Sequence, residues 1–294
     1  MRRIFLLLTF VLLISVSAVT AQTTAADYIN RASQKFDKDD FDGAIADYTK
    51  AIELNPNDYK AYYNRALARN RKKNSVEAIA DFTKALELQP NLIEAYLYRG
   101  LARYENNDND GAIADLTRVI AADSNLETAY FLRGLARYSK TEFENSIDDF
   151  TKSIELNPEM AYYKARGYAR LAKSDADGAI ADFSKVIELA PESDDGYFYR
   201  AAARSLKQDY AGAIADYNKV LKLNPNRIEA YFERGAAREN KKDYKAAVED
   251  FTKAIELNPQ MTKAYERRAI VYRNLGKINL AESDEKKVAE MKKQ

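Results

Sequence analysis

The sequence predicts an all-α protein, a solenoid of eight stacked helix-turn-helix repeats. Three observations carry that expectation. The stretch "YLYRGLARY" at 96–104 returns as "YFLRGLARY" at 130–138, 34 positions later, and a fixed period of that size marks a repeat array. Within each repeat the apolar residues recur at helical spacing. Proline closes most repeats, as in the "LNP" of 54–56, 156–158, 223–225 and 257–259, and a helix rarely continues through the residue before a proline.

The chain opens differently from the rest. "MRRIFLLLTFVLLISVSAVTAQ" has two arginines, an apolar run from Ile4 to Val16, and small residues ending at Ala21. That is the layout of a secretory signal peptide over 1–21, cleaved after Ala21. The run is short beside the roughly 20 residues of a membrane span; an uncleaved anchor is the alternative. With disulfides impossible and no N-x-[ST] sequon present, export to a bacterial periplasm or exterior is expected rather than a cytoplasmic location.

Eight repeats follow, at 25–58, 59–92, 93–126, 127–159, 160–193, 194–227, 228–261 and 262–294. Each starts with a proline-free segment such as "AYYNRALARN" (61–70), passes a short polar turn, and continues in a second segment such as "SVEAIADFTKALEL" (75–88). Ala78, Ile79, Phe82, Ala85 and Leu86 lie on one stripe of that second helix, which buries one face against its neighbours.

The repeat resembles the tetratricopeptide repeat family over essentially all of 25–294. The first aromatic is Tyr28, Tyr62, Tyr96, Tyr130, Tyr163, Tyr197, Tyr231 and Tyr265; four residues on stands Ala32, Ala66, Gly100, Gly134, Gly167, Ala201, Gly235 or Ala269. The second helix carries Ala44, Ala78, Ala112, Ala179, Ala213, Ala247 and Ala281, with Ser146 in the fourth repeat. An aromatic follows at Tyr48, Phe82, Phe150, Phe183, Tyr217 and Phe251, replaced by Leu116 and Glu285 in the third and eighth. The resemblance implies a right-handed superhelical solenoid of tetratricopeptide repeats. Stacking of such repeats is obligatory, so the ends must be polar. Ser33, Gln34 and Lys35 at one end, and "ESDEKKVAEMKK" at the other, meet that requirement.

This chain departs from the family in its charges. An arginine stands in every repeat where the family usually has leucine: Arg31, Arg65, Arg99, Arg133, Arg166, Arg200, Arg234 and Arg268. Sixteen residues later each repeat has an aspartate: Asp47, Asp81, Asp115, Asp149, Asp182, Asp216, Asp250 and Asp284. A buried charge needs a partner, so the pairs are expected to meet between helices as scaffolding. A basic track for an acidic ligand is the competing reading, and the matched aspartates argue against it. A second arginine, at 69, 103, 137, 170, 204 and 238, either shares the aspartate or stacks on a tyrosine ring.

The resemblance also implies a concave groove lined by the first helices. The places that face it hold Tyr63, Leu97, Phe131, Phe198 and Phe232 in one row and Tyr98, Leu132 and Tyr199 in a second. Leu67, Leu101, Leu135 and Tyr168 form a third, and Tyr104, Tyr138 and Leu171 a fourth; the seventh repeat adds Glu229, Glu233 and Glu239. Phe131 and Tyr138 are expected to project out of the stack. Apolar rows of this extent suit a protein or peptide partner. The clamp by which some family members hold a terminal carboxylate is not matched, since Tyr168 follows Lys164 where an asparagine is required.

Composition removes other functions. The chain has no His and no Cys, with 46 Lys plus Arg against 45 Asp plus Glu. Thiol and imidazole catalysis, haem and ordinary zinc sites are therefore excluded, and no basic excess exists to drive nucleic-acid binding. "ENNDNDGAIADL" (105–116) comes nearest to a calcium loop but lacks the closing Glu. The expected protein is a non-enzymatic interaction scaffold without cofactor, binding no nucleic acid and, after signal cleavage, no membrane. A membrane-anchored envelope assembly factor, or a carrier or enzyme with a carboxylate-lined pocket, is the alternative.

Overall fold

The computed structural model describes residues 23–293, and the elements among them are all helical. The expected leader, 1–21, lies outside the described residues. The chain forms two compact bodies, dividing after Pro90. The first holds α1 (Ala25–Phe36), α2 (Phe41–Leu54), α3 (Tyr59–Arg71) and α4 (Ser75–Leu88). The second begins with α5 (Ile93–Glu105), α6 (Asn109–Ala122), α7 (Glu127–Ser139), α8 (Phe143–Leu156), α9 (Met160–Ala172) and α10 (Ala176–Leu189). It continues with α11 (Asp194–Leu206), α12 (Tyr210–Leu223), α13 (Ile228–Asn240), α14 (Tyr244–Leu257), α15 (Thr262–Asn274) and α16 (Ile278–Met291). Inside each body every helix packs on the helices before and after it, and α7 also meets α5 and α9. Both bodies are therefore stacks of helix-turn-helix pairs.

Local chemistry sets the boundaries. Asp40, Asp108, Asp175 and Asp209 cap the second helices, accepting from the N–H of Gly43, Gly111, Gly178 and Gly212 at 2.9–3.0 Å; a side-chain acceptor there satisfies an otherwise orphaned donor. The turn between paired helices passes through the left-handed region, at Asp39, Lys73, Asn107, Thr141, Ser174, Gln208 and Lys242 with φ 60–65° and at Gly276 with φ 72°. In the fourth repeat the next amide, Glu142, donates back to the Arg137 carbonyl at 2.9 Å, closing the helix end.

Where paired helices cross, small residues face large ones. Phe82, Phe150, Phe183, Tyr217 and Phe251 are fully buried, as are the alanines at 44, 78, 112, 179, 213, 247 and 281. A Cβ on Gly134 would stand 2.6 Å from Cε1 of Phe150, so glycine there is what admits the ring.

Candidate functional site

The sequence points to two surfaces, one charged and one apolar. In every repeat the first arginine donates from Nε and Nη2 to both oxygens of the aspartate sixteen residues on, at 2.5–3.2 Å. This is a bidentate fork, the geometry that suits guanidinium and carboxylate. All eight aspartates are buried. The first tyrosine of each repeat, three residues before the arginine, lies beneath the guanidinium with its ring centre 4.7–5.8 Å away. Spacing of three on a helix brings the two side chains to one face.

The second arginine takes the shared-aspartate option. Arg69, Arg103, Arg137, Arg170, Arg204 and Arg238 donate from Nη1 to the same carboxylate at 2.5–2.8 Å. The same nitrogen reaches a carbonyl in the first turn of the second helix at 3.2–3.5 Å. Each inner aspartate is thus held by two guanidiniums.

Sequence reasoning missed a third contact. The remaining Nη1 of the first arginine donates to an oxygen on the second helix of the preceding repeat. Arg65 reaches Thr49, Arg133 Thr117, Arg166 Thr151, Arg200 Ser184, Arg234 Asn218 and Arg268 Thr252, at 2.7–3.2 Å. The signal was present: a Thr, Ser or Asn stands two residues after the aspartate in repeats one to seven, and Lys286 stands there in the eighth. The arginine therefore joins its own aspartate to the repeat before it. None of this leaves a row of uncommitted guanidiniums for an acidic ligand.

The apolar surface is more deeply set than the sequence suggested. Tyr63 lies on Phe82, Phe131 on Phe150, Phe198 on Tyr217 and Phe232 on Phe251, ring centres 5.7–5.9 Å apart. Phe131 also meets Tyr162 at 4.7 Å, and Tyr138 meets Phe143 at 5.5 Å. The expectation that Phe131 and Tyr138 project free of the stack is therefore corrected: both are half-buried wall residues that cover the core. Leu132 is corrected further, since it is buried. Ala129, Leu132 and Ala136 form one buried stripe of α7, with the three- and four-residue steps that place side chains on a common face. Leu67, Leu97, Leu101, Leu135, Leu171, Tyr104, Tyr168 and Tyr199 are half-buried, and Tyr98 is exposed.

In the second body these walls enclose a cleft of about 370 Å³ lined by Tyr104, Leu135, Tyr138, Ser139, Phe150, Ala161, Lys164, Ala165 and Tyr168. Its size falls within the range of small-ligand and side-chain pockets. Tyr168 stacks edge-on to Tyr199 at 4.6 Å, and its burial, with Tyr199 beside it, pushes the phenol well above its ordinary range. The ammonium of Lys164 pairs with Asp195 at 2.5 Å, so the cation at the cleft already has its counter-charge. That pairing, by hydrogen bond first, holds the Asp195 carboxyl below its usual range.

The acidic run at 105–116 has structural employment. Asp108 caps α6, Asp110 pairs with Lys140 at 2.5 Å, and Asp115 accepts from Arg99 and Arg103. Among the described residues no group of three or more acidic side chains is placed to hold a metal ion, and no helix is long and apolar enough to cross a membrane.

Comparison with known proteins places this geometry. A family model described as "Tetratricopeptide repeat" matches residues 29–93, 97–161 and 131–194, a second of that description matches 228–261, and one described as "TPR repeat" matches 205–242. Among solved structures, the C-terminal part of a TPR repeat-containing protein from Cytophaga hutchinsonii is 20% identical, with a TM-score of 0.70 over 81% of this chain and 98% of that one. A tetratricopeptide repeat protein from Parabacteroides merdae is 21% identical, with a TM-score of 0.59 over 84% and 98%. MamA from Desulfovibrio magneticus is 26% identical, with a TM-score of 0.55 over 56% and 94%. No curated protein matches the chain.

Proposed function

The chain belongs to the tetratricopeptide repeat family, and from that premise we propose that it is an exported, non-enzymatic scaffold that holds a peptide or protein segment against the first helices of its repeats. Proteins of this fold serve as protein–protein interaction scaffolds. The observation that carries the finer reading is the cleft of Tyr104, Leu135, Tyr138 and Tyr168, an apolar recess on the first-helix side with aromatic walls. Aromatic anchors in such recesses supply most of the energy of a peptide interface. The arginines are committed to aspartates and neighbouring repeats, which leaves the aromatic face for recognition. Export rests on the leader-like run of 1–21.

The test must spare the stack. Phe131 covers Phe150, so removing it would loosen the core along with the cleft. Ala161 is exposed on the cleft wall and Tyr104 is half-buried. Ala161→Gln combined with Tyr104→Ser should fill and flatten the recess while far-UV circular dichroism stays unchanged. Peptide binding by this variant should fall at least about tenfold, the loss of one anchor. Full binding would move the contact to another face. Amino-terminal sequencing of the exported product tests the cleavage after Ala21; recovery of an intact amino terminus in a membrane fraction would favour the anchored alternative.

A further inference from the structure

Charge along the first-helix face is uneven in the second body. At the cleft the one cation, Lys164, is neutralised by Asp195, and Asp195 also accepts from Arg227 at 3.1 Å. Arg227 in turn holds Asp194 at 2.8 Å and lies over the Phe198 ring at 4.0 Å. Opposite charges balance there. In the seventh repeat, by contrast, the corresponding places hold Glu229, Glu233 and Glu239, and the cations beside them, Arg267 and Lys263, come from the eighth repeat.

These carboxylates are only partly compensated, by Arg267 and Lys263 of the eighth repeat. Burial pushes the carboxyls of Glu233 and Glu239 above the ordinary range, even with Arg267 beside both and Lys263 near Glu233. Glu239 Oε1 accepts a long 3.5 Å hydrogen bond from Arg267, and Glu239 Oε2 is buried without any hydrogen-bond partner. A buried carboxylate oxygen without a donor is costly, and turning it towards a donor on an incoming ligand would remove that cost.

Resting on the groove reading above, we infer that the occupant is an extended segment with an apolar or aromatic anchor for the cleft and a lysine or arginine that meets Glu229, Glu233 and Glu239. The separation is set by the stack. The cleft reaches α9, and α13 lies two repeats further on, roughly 20 Å at about 10 Å per packed helix. An extended chain covers that in about six residues. An acidic segment would meet three like charges in the seventh repeat and would need to displace Asp195 from Lys164. Hydrophobic contact supplies the anchor's affinity, and the acidic patch supplies polarity, fixing which way the segment runs.

Panning the chain against a randomised library of peptides about ten residues long tests this with a defined probe. The enriched peptides should pair Leu or an aromatic with Lys or Arg about six positions away. A synthetic peptide from that pool should bind more weakly by about tenfold as salt rises from low to physiological, through charge screening. Glu229→Gln with Glu239→Gln should reduce that salt dependence to a small fraction while the anchor still binds. Glu229→Gln alone, at an exposed position, should weaken the basic peptide in part without touching the fold. Enrichment of acidic or uncharged peptides would overturn the inference and leave the groove reading standing. Enrichment of nothing would overturn both.

Discussion

The same ion pair occurs at the end of the array and in its middle, and it does different work in each place. Arg31 reaches Asp47 with the same fork as Arg133 reaches Asp149, yet the Arg31 side chain is 51% exposed and that of Arg133 13%. Asp47 has Lys35 as its second cation, where Asp149 has Arg137. Arg133 also donates to Thr117 of the preceding repeat, and nothing in the described chain offers Arg31 such a partner. The difference teaches that the fork belongs to the repeat, while its burial and its third contact come from the neighbour. A desolvated pair in which Nε, Nη1 and Nη2 of the arginine each find an acceptor fixes which helix face meets which; an exposed pair contributes little.

The largest effect expected from breaking this contrast is at the inner aspartate. Asp149→Ala strands two guanidiniums and should destabilise the stack by about 3–5 kcal/mol, the cost of leaving a buried charge unpaired. Arg133→Ala should cost less, about 2 kcal/mol, because Asp149 keeps Arg137. Chemical denaturation of both variants gives the ranking, and a larger loss for Arg133→Ala would contradict the shared-carboxylate geometry.

The turns sharpen the contrast on a smaller scale. Thr141, a β-branched residue, stands at φ 61°, whereas the last repeat has Gly276 in the equivalent turn. Thr141→Gly should stabilise by up to about 1 kcal/mol through relief of left-handed strain, and Gly276→Thr should do the reverse. Thr117→Val removes the acceptor of Arg133 and should cost about 1 kcal/mol. The parallel change Lys286→Val in the eighth repeat, where no arginine reaches that position among the described residues, should cost less.

The smallest effect is a pH dependence at the first repeat. The hydrogen bond from Arg31 holds the Asp47 carboxyl down at about 2. A depressed carboxyl adds stability that is complete above its ordinary value near 4 and disappears as pH falls through about 2. Amide protection in α1 and α2, taken relative to the intrinsic exchange rate at each pH, should therefore fall below pH 4. Protection that is flat down to pH 2 would mean that the pair is not formed in solution.

Much of this was legible from spacing alone. The 34-residue period, the helix ends at Asn-Pro, and the Arg–Asp match at sixteen residues all depend on contacts within one repeat, and one repeat's sequence contains both partners. The Arg133–Thr117 contact was not legible in that way, because its acceptor belongs to the previous repeat. It shows only when the position after the aromatic is compared across repeats, with Lys286 as the exception. The tyrosine beneath each first arginine stands three residues before it on the same helix, but that spacing does not separate a ring that carries a guanidinium from one that fills the core. Leu132 and Phe131 were placed by family position. Their depth depends on the ring opposite, Phe150, and on the adjoining helix, which no single-helix pattern encodes.

The measurement that tests the scaffold account most directly is a double-mutant cycle on Arg133 and Asp149, run beside the same cycle on Arg31 and Asp47 and followed by hydrogen exchange in the flanking helices. The account predicts a coupling above about 1 kcal/mol for the inner pair, the range of residues in one buried network, and a clearly smaller coupling at the end. Additive losses at Arg133 and Asp149, or equal couplings at both places, would contradict it.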